Sequence, residues 1–174
     1  VGPPPPDLHA RDHADQGRDA QGPPRQYVIA DFRDLLAAFT ARDVRFLVVG
    51  AHALAVHGVP RTTGDLDLWI EPTAANAARI WQALGAFGAP LDSLGIREAD
   101  FQRADQVVQL GLPPYRIDIM TSLSGLEFSH GWVGRVAGEL FDVPVPFIGR
   151  DALIANKRAS GRPKDLEDVR ALEA

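Results

Sequence analysis

The amino-acid sequence predicts an α+β fold. Three observations lead there: a strand-then-helix unit at residues 46–57, a run of short strands between residues 107 and 148, and two helical segments that close the chain. Grouped strands followed by grouped helices are the order of an α+β domain rather than of a repeating βαβ array. No internal repeat is present.

The elements follow in order. Residues 1–26 hold six of the 14 prolines and almost no large apolar side chains. Such a segment cannot bury enough surface to offset the entropy of ordering, so a disordered proline-rich tail is expected there, with one folded domain over residues 27–174. Residues 31–42 place Phe32, Leu35, Leu36 and Phe39 on one helical face. Phe46 to Val49 is a short apolar run ending at Gly50, as expected of a buried strand. Ala51 to His57 reads as a helix stopped by Gly58 and Pro60. Asp65 to Glu71 alternates as a strand, and residues 73–87 read as a helix. Val107 to Leu112 and Tyr115 to Met120 read as strands joined at Pro113-Pro114. A weak helix over 125–134, a hairpin over 136–148 turning near Asp142, and helices over 150–159 and 163–173 complete the chain.

Composition narrows the function. The 174 residues carry a formal net charge of −5 and no cysteine, which excludes disulfides, thiolate metal sites and a Cys nucleophile. No apolar run approaches the roughly 18 residues of a membrane span, and the chain lacks the charge-then-apolar order of a signal peptide, so a cytoplasmic protein with no membrane partner is expected. A mild acidic balance argues against coating nucleic acid by bulk charge. His52 and His57 lie five apart and His130 is isolated, so the folded part offers no zinc pattern. Neither a Gly-x-Gly-x-x-Gly nor a Gly-Lys-Ser/Thr loop occurs, so no dinucleotide or P-loop site is expected.

The chemistry gathers on acids. Side chains alternate across a strand, so Asp65 and Asp67 share one face while Leu66, Leu68 and Ile70 take the other. Asp118, between Ile117 and Ile119, has the same alternation on a later strand and could join them. Three converging carboxylates repel one another unless a cation sits between them. An Asp-x-Asp strand is ordinarily a solvated face. Two features favour the metal: the third acid, and Gly50, which ends a strand and opens a helix 15 residues before Asp65. A strand-Gly-helix junction aims unpaired backbone N–H groups at one spot and suits a phosphate.

Taken together, Gly50-Ala51, Asp65-Leu66-Asp67 and Asp118 resemble the nucleotidyltransferase fold of the polymerase-β superfamily. The phrase from Val49 to Leu68 is similar to the small bacterial branch that includes the AbiEii-type toxins, as is the Arg162-Pro163-Lys164-Asp165 tail. The resemblance spans about residues 45–170. It implies a mixed sheet flanked by helices and two Mg²⁺ ions (or Mn²⁺) on Asp65, Asp67 and Asp118. It also implies transfer of a nucleoside monophosphate from a nucleoside triphosphate to a hydroxyl. The acceptor would be an RNA 3′ end or a protein, and the toxin branch implies a cognate antitoxin. Asp65 and Asp67 would bind both ions, and Asp118 would bind the catalytic ion and help deprotonate the acceptor. Gly50 and the Ala51 and His52 amides would touch the terminal phosphates. Ala51 departs from the family's Ser or Gly and forfeits a hydroxyl contact of about 0.5–1.5 kcal/mol.

Of the 18 cationic side chains only Lys157 and Lys164 are lysines, and both lie near Asp165. Matching the motif, Lys164 is the first choice for a triphosphate contact and Lys157 the second, with Arg158 and Arg162 in support. Asp165 would position Lys164 or the acceptor. An intrahelical ion pair on a solvated face is the plainer alternative. Arg61 could neutralise phosphate or be a loop arginine, and Trp69 could stack on a base or be a core aromatic. A second functional reading is a catalytically degenerate module of the same fold that binds nucleotide, RNA or protein.

Overall fold

The computed structural model describes residues 25–174, with side chains described from residue 30; the expected proline-rich tail lies almost wholly outside them. Six helices and six strands follow one another as α1 (Arg25–Ala41), β1 (Phe46–Val49), α2 (Gly50–Val56), β2 (Asp65–Ile70), α3 (Ala74–Phe87), β3 (Val107–Leu112), β4 (Tyr115–Met120), α4 (Phe128–Val133), β5 (Val136–Leu140), β6 (Val143–Phe147), α5 (Arg150–Ser160) and α6 (Pro163–Glu173). A short 3₁₀ helix, Glu98–Gln102, precedes β3. It was not expected, and α1 begins earlier than the periodicity predicts. The expected mixed sheet flanked by helices is present.

The six strands form one sheet in the order β3-β4-β2-β1-β6-β5. Strands β1 and β2 are antiparallel, β2 and β4 are parallel, and the two edge hairpins β3–β4 and β5–β6 are antiparallel. Register decides which residues share a face. Phe46 stands opposite Ile70 and Val48 opposite Leu68, while Leu66 and Leu68 stand opposite Ile117 and Ile119. All of these are buried on one side of the sheet. Helix α1 covers that side: the Phe39 and Phe46 rings meet edge-on at 5.4 Å. The buried Asn76 of α3 ties this layer to β1, since its Oδ1 accepts from the Arg45 amide at 2.8 Å and its Nδ2 donates to the Arg45 carbonyl at 2.9 Å.

The other side carries Asp65, Asp67, Arg116 and Asp118 at one end of β2 and β4, and Trp69 further along β2. Helix α4 closes the Trp69 end. Phe128 meets the indole edge-on at 5.1 Å, and a Cβ on Gly131 would lie 2.5 Å from the indole, so only glycine lets α4 approach. Trp69 is thus a core aromatic, 1% exposed. The acidic end stays open, walled by α2 on one flank and by α5 and α6 on the other.

Candidate functional site

The open end is a cleft of about 470 Å³. Among its lining residues are Gly50, Ala51, Arg61, Asp65, Asp67, Arg116, Asp118, Lys157, Lys164 and Asp165. His52 does not line it; its ring turns away to meet Phe141 edge-on at 5.6 Å, and burial lowers its pKa. Met120, Leu123, Leu153 and Asn156 add a less polar wall that sequence reasoning did not assign.

The parallel register of β2 and β4 sets Asp67 opposite Asp118 and Asp65 opposite Arg116. Pairing in register is what brings acids 51 residues apart to one place, since paired residues project to the same face. Asp118 is 8% exposed. Burial first, and then repulsion from Asp118 and Asp65, push the Asp67 carboxyl up from an ordinary 3.8 to about 6, although Arg116 and Lys157 pull the other way.

Gly50 sits tight against this group. Its φ is +66°, in the left-handed region that favours glycine. A Cβ there would lie 2.1 Å from Asp67 Oδ2. The glycine that ends β1 is therefore required on two counts: to turn the chain into α2 and to leave room for a carboxylate.

Arg116 went unnoticed in the sequence, although its signal was present: it lies two residues before Asp118 and so shares that residue's strand face. Its Nη2 donates to Asp118 Oδ2 at 3.0 Å and lies 3.6 Å from Asp65 Oδ2. Its Nε is 2.8 Å from Asp118 Oδ1. That last pair is a charge contact without an aligned hydrogen bond, so Asp118 Oδ1 is buried with no hydrogen-bond donor. The donor set suits a hard divalent cation, being all carboxylate oxygen with one of those oxygens undonated. As the side chains stand, no three His, Cys, Asp or Glu among the described residues are grouped so as to hold an ion. A positive group, the Arg116 guanidinium, already lies among the acids.

The two lysines differ in setting. Lys157 is 7% exposed, with Nζ 3.1 Å from Asp165 Oδ1 and 2.8 Å from Asp168 Oδ2. Arg61 donates to Asp168 Oδ1 from Nε and Nη2 at 3.0 and 2.9 Å, and Arg162 Nε donates to Asp165 Oδ2 at 2.6 Å. Ser160 Oγ also donates to Asp165 Oδ2. Asp165 therefore holds Lys157, not Lys164, and Arg61 is engaged by Asp168. Burial alone would raise both carboxyls, yet their hydrogen bonds outweigh it: Ser160, Arg162 and Lys157 lower Asp165, and Lys157 and Arg61 lower Asp168. Lys164 is exposed at the cleft and has no salt bridge among the described residues. Arg158 pairs instead with Glu173, away from the lining.

No protein-family model matches the chain, and no curated protein matches it in sequence. Similarity lies in structure. The chain is similar to a Thermotoga maritima protein provisionally assigned as a nucleotidyltransferase, with a TM-score of 0.56 and 16% identity over 84% of this chain and 92% of that one. It is similar to the lincosamide antibiotic adenylyltransferase LnuA, solved with lincomycin bound, with a TM-score of 0.51 and 14% identity over 83% of this chain and 96% of that one. It is also similar to ANT(2")-Ia, solved in complex with adenylyl-2"-tobramycin, with a TM-score of 0.53 and 16% identity over 83% of this chain and 86% of that one. At such identities the likeness is one of backbone architecture. The six-stranded mixed sheet and its flanking helices are those of the nucleotidyltransferase fold.

Proposed function

We propose that this chain is a metal-dependent nucleotidyltransferase, moving a nucleoside monophosphate from a nucleoside triphosphate to a hydroxyl. The observation that carries the reading is the β2–β4 register, which sets Asp67 opposite Asp118, with Asp65 on the same face, in a cleft edged by Gly50 and Lys164. Mg²⁺ ions (or Mn²⁺) held by Asp65, Asp67 and Asp118 would neutralise phosphate charge and activate the attacking oxygen. The remaining work belongs to the chain. Asp118, the most buried of the three acids, helps take up the acceptor's proton. The acceptor oxygen bonds to the α-phosphorus as the bond to the bridging oxygen breaks, and pyrophosphate leaves. The first turn of α2 offers the Gly50 and Ala51 amides to the phosphates, and the exposed Lys164 adds a mobile positive charge. Rate enhancement then comes from positioning and charge stabilisation.

The acceptor we favour is an RNA 3′ end or a protein hydroxyl, with a cognate antitoxin as partner. The support is the Val49–Leu68 phrase and its likeness to the toxin branch. A non-catalytic module is the second reading, favoured by Ala51 and by the guanidinium among the acids. Incubation with each labelled nucleoside triphosphate, Mg²⁺, total RNA and lysate protein separates the two. Transfer by the unsubstituted chain, lost in Asp67→Asn and Asp118→Asn, is the expected outcome. Full metal-dependent labelling by either variant would remove the acid from the reaction.

A further inference from the structure

The Arg116 guanidinium makes three contacts to two of the acids, on the oxygens that a divalent ion would take. Its side chain is 29% exposed, so it has a path to water. The other arginines of the cleft are committed elsewhere, Arg61 to Asp168 and Arg162 to Asp165. Lys157 is likewise held by Asp165 and Asp168. Among the described residues Arg116 is the cation in direct contact with the acidic cluster. Without it, Asp65, Asp67 and Asp118 would face one another across a partly desolvated space, where like charges repel far more than in water.

We infer that Arg116 is the metal-free counter-cation of the acidic cluster: its guanidinium stands where the cation would bind and withdraws when the cation enters, so Arg116 sets the affinity of the site for its metal. The inference rests on the metal-dependent reading above and adds a positioning residue to it. A monovalent, forked cation holds Asp118 and reaches Asp65, but its single charge offsets only part of the acids' negative charge. A divalent ion supplies twice the charge at shorter range. Exchange therefore favours the ion, at the cost of breaking the Arg116–Asp118 contacts. The guanidinium bridges Asp118 and Asp65 and offsets part of the charge on Asp67 before the ion arrives, and it limits how tightly the ion is held afterwards.

Calorimetric titration of Mg²⁺ into the nucleotide-free protein tests this without any reaction. Arg116→Gln should bind Mg²⁺ about tenfold tighter than the unsubstituted chain, because the competing charge is gone. Arg116→Lys, which keeps the charge, should stay near the unsubstituted value. In EDTA, Arg116→Gln should melt below the unsubstituted chain, and Mg²⁺ should raise its melting temperature by more. A purely structural arginine would lower stability without raising metal affinity. Equal or weaker Mg²⁺ binding by Arg116→Gln, while the unsubstituted chain binds, overturns the inference and leaves the metal-dependent reading standing. Mg²⁺ binding by Arg116→Gln alone supports the guanidinium as occupant and overturns the enzyme reading. Binding by none of the three proteins overturns both.

Discussion

Asp67 is a carboxylate held where its charge is unwelcome, and that has a measurable sign. Its folded-state pKa of about 6 lies above the ordinary 3.8. Between those values the folded chain binds more protons than the unfolded one, so this group's contribution to stability falls as pH rises from about 4 to 6. In the metal-free protein, Asp67→Asn should therefore raise the melting temperature above pH 6. A shift of this size corresponds to on the order of 3 kcal/mol, and the gain should fade as pH drops toward 4. Thermal melts across that range check it, and a gain that does not change with pH would refute the electrostatic account. Gly50 is the matching constraint, since a side chain at 50 would meet Asp67 Oδ2. At this scale the sequence was partly readable. Alternation located Asp65, Asp67 and Asp118, and the same alternation applied to Arg116 would have located the guanidinium. The side-chain direction of His52 was not legible, because a three-residue phrase does not say which way an imidazole on a short helix turns; the expectation for position 52 concerned its backbone amide.

Helices α5 and α6 meet through charge as well as through Leu153, Ile154, Val169 and Leu172. Lys157 falls on the same stripe of α5 as Leu153 and Ile154, at helical spacing, so its burial was legible in the pattern. The motif match to Lys164 outweighed that signal in the sequence reading. Lys157→Met should cost roughly 3 kcal/mol or more, because Asp165 and Asp168 lose the ammonium they share in a buried setting. Lys164→Ala should leave stability within about 0.5 kcal/mol while weakening triphosphate binding. Urea titrations and nucleotide calorimetry on the two variants measure the contrast, and equal destabilisation by both would contradict it. Asp165 and Asp168 have lowered pKa values, so the stability they provide is present above the ordinary carboxyl range and is lost as pH falls below it. The Arg61–Asp168 pair, 107 residues apart, could not be read in advance, because only the path of the chain brings the loop before β2 to α6.

Across the whole molecule, protection from hydrogen exchange should follow strand order. Strands β4, β2, β1 and β6 are paired on both sides, whereas β3 and β5 are edges with exposed residues such as Val107 and Val136. Amides of β1 and β2 should exchange last and those of β5 among the first of the strands, as measured by mass spectrometry. Most of the architecture was legible because β1 is marked by a continuous apolar run ending at Gly50 and β2 and β4 by apolar alternation beside Gly or Pro. The 3₁₀ helix at Glu98–Gln102 was not, since a single buried Phe101 anchors it and one anchor makes no period. The burial of Lys157 also bears on how this protein responds to chemical probes. Only two side chains in the sequence carry a primary amine, and one of them is sealed between carboxylates. Acylating reagents at neutral pH should consequently modify lysine almost solely at position 164, converting that side chain into a built-in footprint for whatever occupies the mouth of the cleft.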